Sequence, residues 1–257
     1  MNGHIGRLML LSLLALTTFL TVEAAPPFWG TTSIDPDIIR GTDPSAFESM
    51  KYLGRQTRWI FDRRTGMTDA VESLHVLRAS FSDEPDIDFV IHPEFGEPEA
   101  ARSIATYYAH PIGQLPATLR RQLRVVTILK GTYPFGGDGA TGTVLIHTGQ
   151  AMQYVREGIL EETLMHEACH VSLDGMHARA PEWIAAQAAD DEFISIYARD
   201  HPYREDIAES FVPYFGYRYR RDRLSEDVIE TIERVMPNRI AYFDEHLPSE
   251  STRPSGG

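Results

Sequence analysis

Residues 164–170 read Leu-Met-His-Glu-Ala-Cys-His, and inside them lies H-E-x-x-H, formed by His166, Glu167 and His170. The spacing predicts a helix carrying a metal site. On an α-helix, residues i and i+4 share one face, about 6 Å apart. His166 and His170 can therefore turn imidazole nitrogens onto one Zn²⁺, at about 2.0–2.1 Å. Glu167 is rotated by about 100° around the axis. It does not compete as a ligand, but it can reach a water at an open coordination position. Two ligands, an open position and a carboxylate base are what metal-assisted hydrolysis requires. The plain alternative is a helix face with two satisfied histidines and a surface glutamate.

A catalytic zinc site needs a third protein ligand. The longer pattern H-E-x-x-H-x-x-G-x-x-H fails here, because Leu173 and Met176 stand at its glycine and last histidine. His177 comes one residue late, which makes it a surface or supporting residue. Acidic candidates lie further on, at Asp190, Asp191 and Glu192, and in the stretch Glu205-Asp206-Ile207-Ala208-Glu209-Ser210-Phe211. In that stretch Ile207, Phe211 and Tyr214 form an apolar face. Glu205 and Glu209 share a different one. Two carboxylates in register repel each other on a bare helix. Beside a cation, one can bind the metal and the other can accept the second N–H of a ligand histidine. A solvated acidic face is the bland reading of the same spacing. His147 is a further histidine to watch, because its strand directly precedes the motif helix.

His-Glu-Ala-Cys-His at 166–170, Ser-Ile-Tyr-Ala-Arg at 195–199 and Glu-Asp-Ile-Ala-Glu-Ser-Phe at 205–211 together resemble the catalytic domain of anthrax toxin lethal factor and the secreted Pro-Pro endopeptidases. These are gluzincins, zinc peptidases whose third ligand is a glutamate. The resemblance covers about residues 160–215. It implies a zincin-like fold with one zinc per chain. His166, His170 and Glu205 would be ligands and Glu167 the base. Tyr197 would stabilise the transition state, and Glu209 would support a ligand. The interval from Tyr197 to Glu205 is one residue longer than the family's, with Pro202 inside it, so Tyr203 stands as the alternative tyrosine. A core aromatic of the surrounding helix is the plain reading of Tyr197.

The rest of the 257-residue chain sets the frame. Its formal net charge of -13 argues against nucleic acid as a partner and against an anionic membrane surface. Arg7, the apolar run Leu8–Leu20 and Val22-Glu23-Ala24 read as a signal peptide of residues 1–24, cleaved after Ala24. The run is short for a membrane span, so an uncleaved anchor is the lesser alternative. Export, secreted or periplasmic, follows, and the family resemblance implies a peptide or protein as substrate. Cys169 is the one cysteine, so no internal disulfide framework is expected. It reads as a small buried hydrophobe.

Residues 25–247 are expected to form one α+β domain, with a small mixed sheet packed on helices and an active-site helix carrying H-E-x-x-H. A polar disordered tail, 248–257, follows. Residues 25–43 look extended. Asp43-Pro44 predicts a helix over 44–54. Strands are expected at 58–62, 74–82, 87–92, 124–130 and 143–148, with a hairpin connection at 82–86. Helices are expected at 98–109, from Leu115-Pro116, at 150–173, 181–198 and 202–217, from Ser225 to before Pro237, and at 240–246. Gly131–Gly142 reads as a flexible hairpin tip. Arg218–Arg223 is a basic patch best taken as a salt-bridged turn. The alternative to a metallopeptidase is an exported binding or structural module that retains the scaffold without catalysis.

Overall fold

The structure is a computed structural model that describes residues 25–34, 37–83 and 85–248. The expected signal peptide, and the expected tail from residue 249 on, lie outside these residues. Six strands form one mixed sheet: β1 (Phe47–Asp62), β2 (Met67–Phe81), β3 (Ile87–Ile91), β4 (Val125–Leu129), β5 (Gly136–Asp138) and β6 (Thr143–His147), in the order β1-β2-β3-β4-β6-β5. The first three pair antiparallel, β3, β4 and β6 run parallel, and β5 returns antiparallel on β6. β3 and β4 are apolar and buried almost throughout, as parallel strands covered on both faces must be. The mixed α+β class is thus observed.

The expected helix over 44–54 is a strand instead. Phe47, Met50 and Tyr52 all pack toward the core, and the i, i+3 step from Phe47 to Met50 imitates a helical period. The cause is a set of bulges. The β1–β2 register shifts between Phe47 and Ser49, between Tyr52 and Gly54, and between Gln56 and Arg58. Each shift inserts a residue and breaks the alternation of period two. Gly54 takes φ +98 at one of them, a conformation that glycine tolerates and other residues resist.

Between β3 and β4 run α1 (Pro98–Gln114) and α2 (Ala117–Arg120). α1 does not stop before Pro111 as expected. It continues one turn past the proline, burying Ile112 and Gly113, and Ala46 N–H donates to the Gly113 carbonyl at 2.9 Å. The helix expected at 150–173 is two: α3 (Thr148–Glu157) and α4 (Leu160–Ser172). Gly158, at φ +69, caps α3 in the left-handed conformation. α4 carries His166, Glu167 and His170. Leu164, Met165, Ala168 and Cys169 of α4 are buried in the core. Fully burying a side chain such as Leu164 or Met165 is worth about 1.5–3 kcal/mol, so packing holds this helix more firmly than propensity would.

α5 (Asp174–His177) and α6 (Pro181–Ala189) follow. The stretch 181–198, expected as one helix, is broken after Ala189, and α7 (Ile196–Asp200) starts on its own cap, with Ser195 Oγ accepting from Ala198 N–H. α8 (Asp206–Tyr219) is buried from Asp206 to Gly216 and packs directly on α4. α9 (Glu226–Val235) and α10 (Pro237–His246) close the domain. Arg221 and Arg223 of the basic patch pair with Glu233 and Asp43, and Arg218 pairs with Asp244. Among the described residues no helix is long and apolar enough to cross a membrane.

Residues 131–142 are not a hairpin tip. β4 and β6 run parallel, so the segment crosses over, and its middle forms the edge strand β5 against α4. A Cβ on Gly137 would lie 2.1 Å from the Glu167 carbonyl oxygen, so only glycine lets β5 come this close to the motif helix. Nor are residues 25–34 regularly extended. They run in bends, with one parallel bridge from Phe28 to Ser195.

Candidate metal centre

α4 and α8 bring the three expected ligands together. His166 Nε2 lies 3.2 Å from His170 Nε2, His166 Nε2 lies 3.3 Å from Glu205 Oε2, and His170 Nε2 lies 3.1 Å from the same oxygen. A tetrahedral ion with ligands at about 2.0–2.1 Å separates them by about 3.3 Å. The three atoms therefore already stand at the spacing of one metal's first shell. Among the described residues these three are the only group of histidine, cysteine and acidic side chains that could hold an ion.

The other expected candidates are elsewhere. Asp190 is wholly buried in an ion pair with Arg239 at 2.9 Å, Glu192 pairs with Arg234, and Asp191 is exposed. His177 Nδ1 meets the Tyr242 hydroxyl at 2.7 Å. His147 is buried at the end of β6, its ring 5.5 Å from that of Tyr133.

Each ligand is held from behind. His170 Nδ1 is 2.8 Å from Asp174 Oδ2, one helical turn on. His166 Nδ1 is 3.3 Å from Glu209 Oε1. Glu209 is itself fixed: the Ser195 hydroxyl donates to its Oε2 at 2.6 Å and Thr31 N–H donates to the same oxygen at 2.9 Å. Such contacts set ring orientation and raise ligand basicity. Arg204 Nε donates to the other oxygen of Glu205, Oε1, at 2.6 Å, and the Tyr197 hydroxyl donates to it at 3.1 Å. Tyr197 is part exposed toward the cleft. Tyr203 also lines the cleft, with no hydrogen bond to Glu205 among the described residues.

Three of these partners carry no spacing signal, or one easily overlooked. Asp174 stands at i+4 from His170, so the sequence did place it on the ligand face. Beside Gly175 it reads as a helix stop instead. Ser195 and Thr31 reach Glu209 only through the tertiary fold. The segment Phe28–Thr31 lies along the start of α7, where Ile196 N–H donates to the Phe28 carbonyl at 2.8 Å and Tyr197 N–H to that of Trp29 at 3.1 Å.

The electrostatics favour a cation. Burial alone would lower the imidazoles, but Glu205 and Glu209 raise His166 to about 10, and Asp174 and Glu205 raise His170 to about 9. Glu205 is pushed up by burial yet held well below the usual carboxylate range by the two histidines. In the metal-free centre, protons on the imidazoles balance the clustered carboxylates, and a divalent ion would take their place. Burial and then Glu205 raise the Tyr197 phenol, which keeps it a neutral donor.

The centre opens into a cleft of about 1420 Å³. That exceeds the roughly 300–1,000 Å³ common for small-molecule pockets. Glu167 lines it beside the ligands, and β5 forms one wall. No family model, no curated protein and no solved structure matches the chain.

Proposed function

We propose that the protein is an exported zinc-dependent metalloendopeptidase of zincin-like fold, of the gluzincin kind. The observation that carries this is the convergence of His166 Nε2, His170 Nε2 and Glu205 Oε2 within 3.1–3.3 Å in a cleft that Glu167 also lines. Two imidazoles and one carboxylate are a donor set that zinc accepts, and three protein ligands leave a position open for water. Bound there, zinc supplies Lewis acidity, acidifying a water and polarising a carbonyl. The leader read in residues 1–24 supports export.

The chain's own groups then divide the work. Glu167 takes the proton of the attacking water and delivers it to the leaving amine as the peptide C–N bond breaks. Tyr197 donates its hydroxyl hydrogen bond to the oxyanion that develops at the scissile carbonyl. Glu209 and Asp174 keep the two imidazoles turned toward each other. β5 and the residues that follow it bound the groove in which a peptide lies.

The test compares purified wild type with Glu205→Ala and Glu167→Gln, reading zinc per chain and hydrolysis of a peptide library. The expected result is one zinc in wild type, sharply reduced in the Ala variant. The Gln variant keeps its zinc and loses turnover. Undiminished hydrolysis by the Gln variant would remove Glu167 from the role of base. A wild type that holds zinc yet cleaves nothing would be a non-catalytic module on the same scaffold.

A further inference from the structure

The chain is strongly acidic, yet its cleft contains a cation without a counter-ion. Arg63 sits in the turn that joins β1 to β2, closed by hydrogen bonds from Thr65 and Gly66 N–H to the Asp62 carbonyl at 3.1 and 2.8 Å. Its neighbour Arg64 is fully engaged: Nε donates to Asp62 Oδ1 at 2.9 Å and Nη1 to Glu94 Oε2 at 2.8 Å. Arg63 has no ion pair or hydrogen bond to any described residue, and its Nε is buried. A guanidinium that is partly withdrawn from water and left unpaired is costly unless something arrives to pair with it.

The position of this side chain is set by the fold. It lies over β5, where a Cβ built on Gly136 would come within 2.6 Å of Arg63 Nη2. A side chain at residue 136 would make the guanidinium shift from this place on the cleft wall. Arg63, Phe135, Tyr154, Thr163 and Glu167 all line the same cleft. β5 runs alongside α4, Gly137 facing the Glu167 carbonyl and the His170 side chain and Gly139 facing the His170 and Val171 carbonyls. Arg63 thus stands over the Gly136 end of β5, to one side of the stretch that faces the metal ligands. Of the other cleft arginines, Arg204 is bound to Glu205, and Arg179 is exposed in the connection after α5. Neither is seated as Arg63 is.

We infer that Arg63 is a specificity-determining residue that receives a carboxylate of the substrate at one fixed position to one side of the scissile bond. This rests on the peptidase reading above. A guanidinium offers a planar fork that matches a carboxylate in a two-point contact, which an amide of the same shape cannot match. The carboxylate can belong to an Asp or Glu side chain within the peptide or to the peptide's C-terminus. The contact is read locally, against the negative field of the whole chain, so near-physiological salt is the right condition for measuring it.

The experiment uses two otherwise identical fluorogenic peptides, one with Glu and one with Gln at each position around the bond, with amidated C-termini. A third set carries Gln and a free C-terminus. Zinc-loaded wild type, Arg63→Gln and Arg63→Lys are compared by kcat/KM. Binding of the same peptides to the metal-free proteins is followed by fluorescence anisotropy. In wild type one Glu position, or the free C-terminus, is expected to raise kcat/KM about ten- to a hundredfold, the range for a hydrogen bond to a charged group. The gain disappears in Arg63→Gln and is partly kept in Arg63→Lys, and the anisotropy follows the same order. A gain that persists in Arg63→Gln overturns the assignment, as does wild type that binds and cleaves all three sets alike. If no peptide is cleaved, the peptidase reading fails by itself. The anisotropy then still decides whether Arg63 binds a carboxylate.

Discussion

Glu162 lies one turn before His166 on α4 and is fully buried. Its Oε1 accepts from Ile39 N–H at 2.9 Å, while Oε2 is buried with no partner. Burial pushes the carboxyl up to about 7, from 4.5 for an unperturbed glutamate. The sign of its effect on stability follows. Below pH 4.5 the group is protonated in both states and costs nothing. Between 4.5 and 7 the unfolded chain releases the proton while the folded chain keeps it. Above 7 the native state carries a buried charge. Stability therefore falls as pH rises through this window, by about 3 kcal/mol at 1.36 kcal/mol per pH unit. Glu162→Gln keeps the acceptor for Ile39 N–H and stays neutral at every pH. Urea unfolding of both metal-free proteins from pH 4 to 8.5 gives the difference curve, in which the titrations of His166, His170 and Glu205 cancel. The variant should match or trail wild type at pH 4.5, then gain on it by about 3 kcal/mol by pH 8, or about 1–1.5 M in midpoint for an m-value of 2–3 kcal/mol/M. A flat difference curve would refute the assignment of that pH dependence to Glu162.

Two further changes test the centre and its wall. Asp174→Ala frees His170 Nδ1 and should weaken zinc about ten- to a hundredfold in a chelator competition, with the fold intact; unchanged affinity would mean that Asp174 does not orient the ligand. Gly137→Ala must push β5 off α4 and should cost about 1–3 kcal/mol, a fall of about 2–12 °C in Tm by circular dichroism; melting together with wild type would contradict the close approach of β5 to α4.

Much of the centre could be read from the chain because it is local. H-E-x-x-H and the Glu205–Glu209 pair are i, i+4 patterns on helices, and a helix turns such spacing into geometry without help from the rest of the fold. What joins the two helices is packing, and no spacing encodes it. Asp174 carried the same i, i+4 signal but was outweighed by the glycine after it. Ser195 and Thr31 lie 14 and 178 residues from Glu209 and have no local mark. In the sheet the short buried strands were legible from their apolar runs. β1 was not, since its bulges scramble the alternation that identifies a strand. β5 was hidden because Gly136 and Gly137 have no side chains to alternate. What qualifies them for the edge is the space they leave for Arg63 and α4.

Cys169 adds a use of its own. The sole thiol of the chain lies fully buried between the two ligand histidines, and burial holds it well above the ordinary cysteine range. A thiol reagent can reach it only when α4 lifts away from the core. The protein thus carries one chemical clock, set inside its most consequential helix. The labelling rate under fast opening and closing reports the free energy of that local excursion. An ion that binds only the closed form slows the clock by the factor 1 + [ion]/Kd. Occupancy of the centre can accordingly be followed from the fate of a residue that never touches the ion.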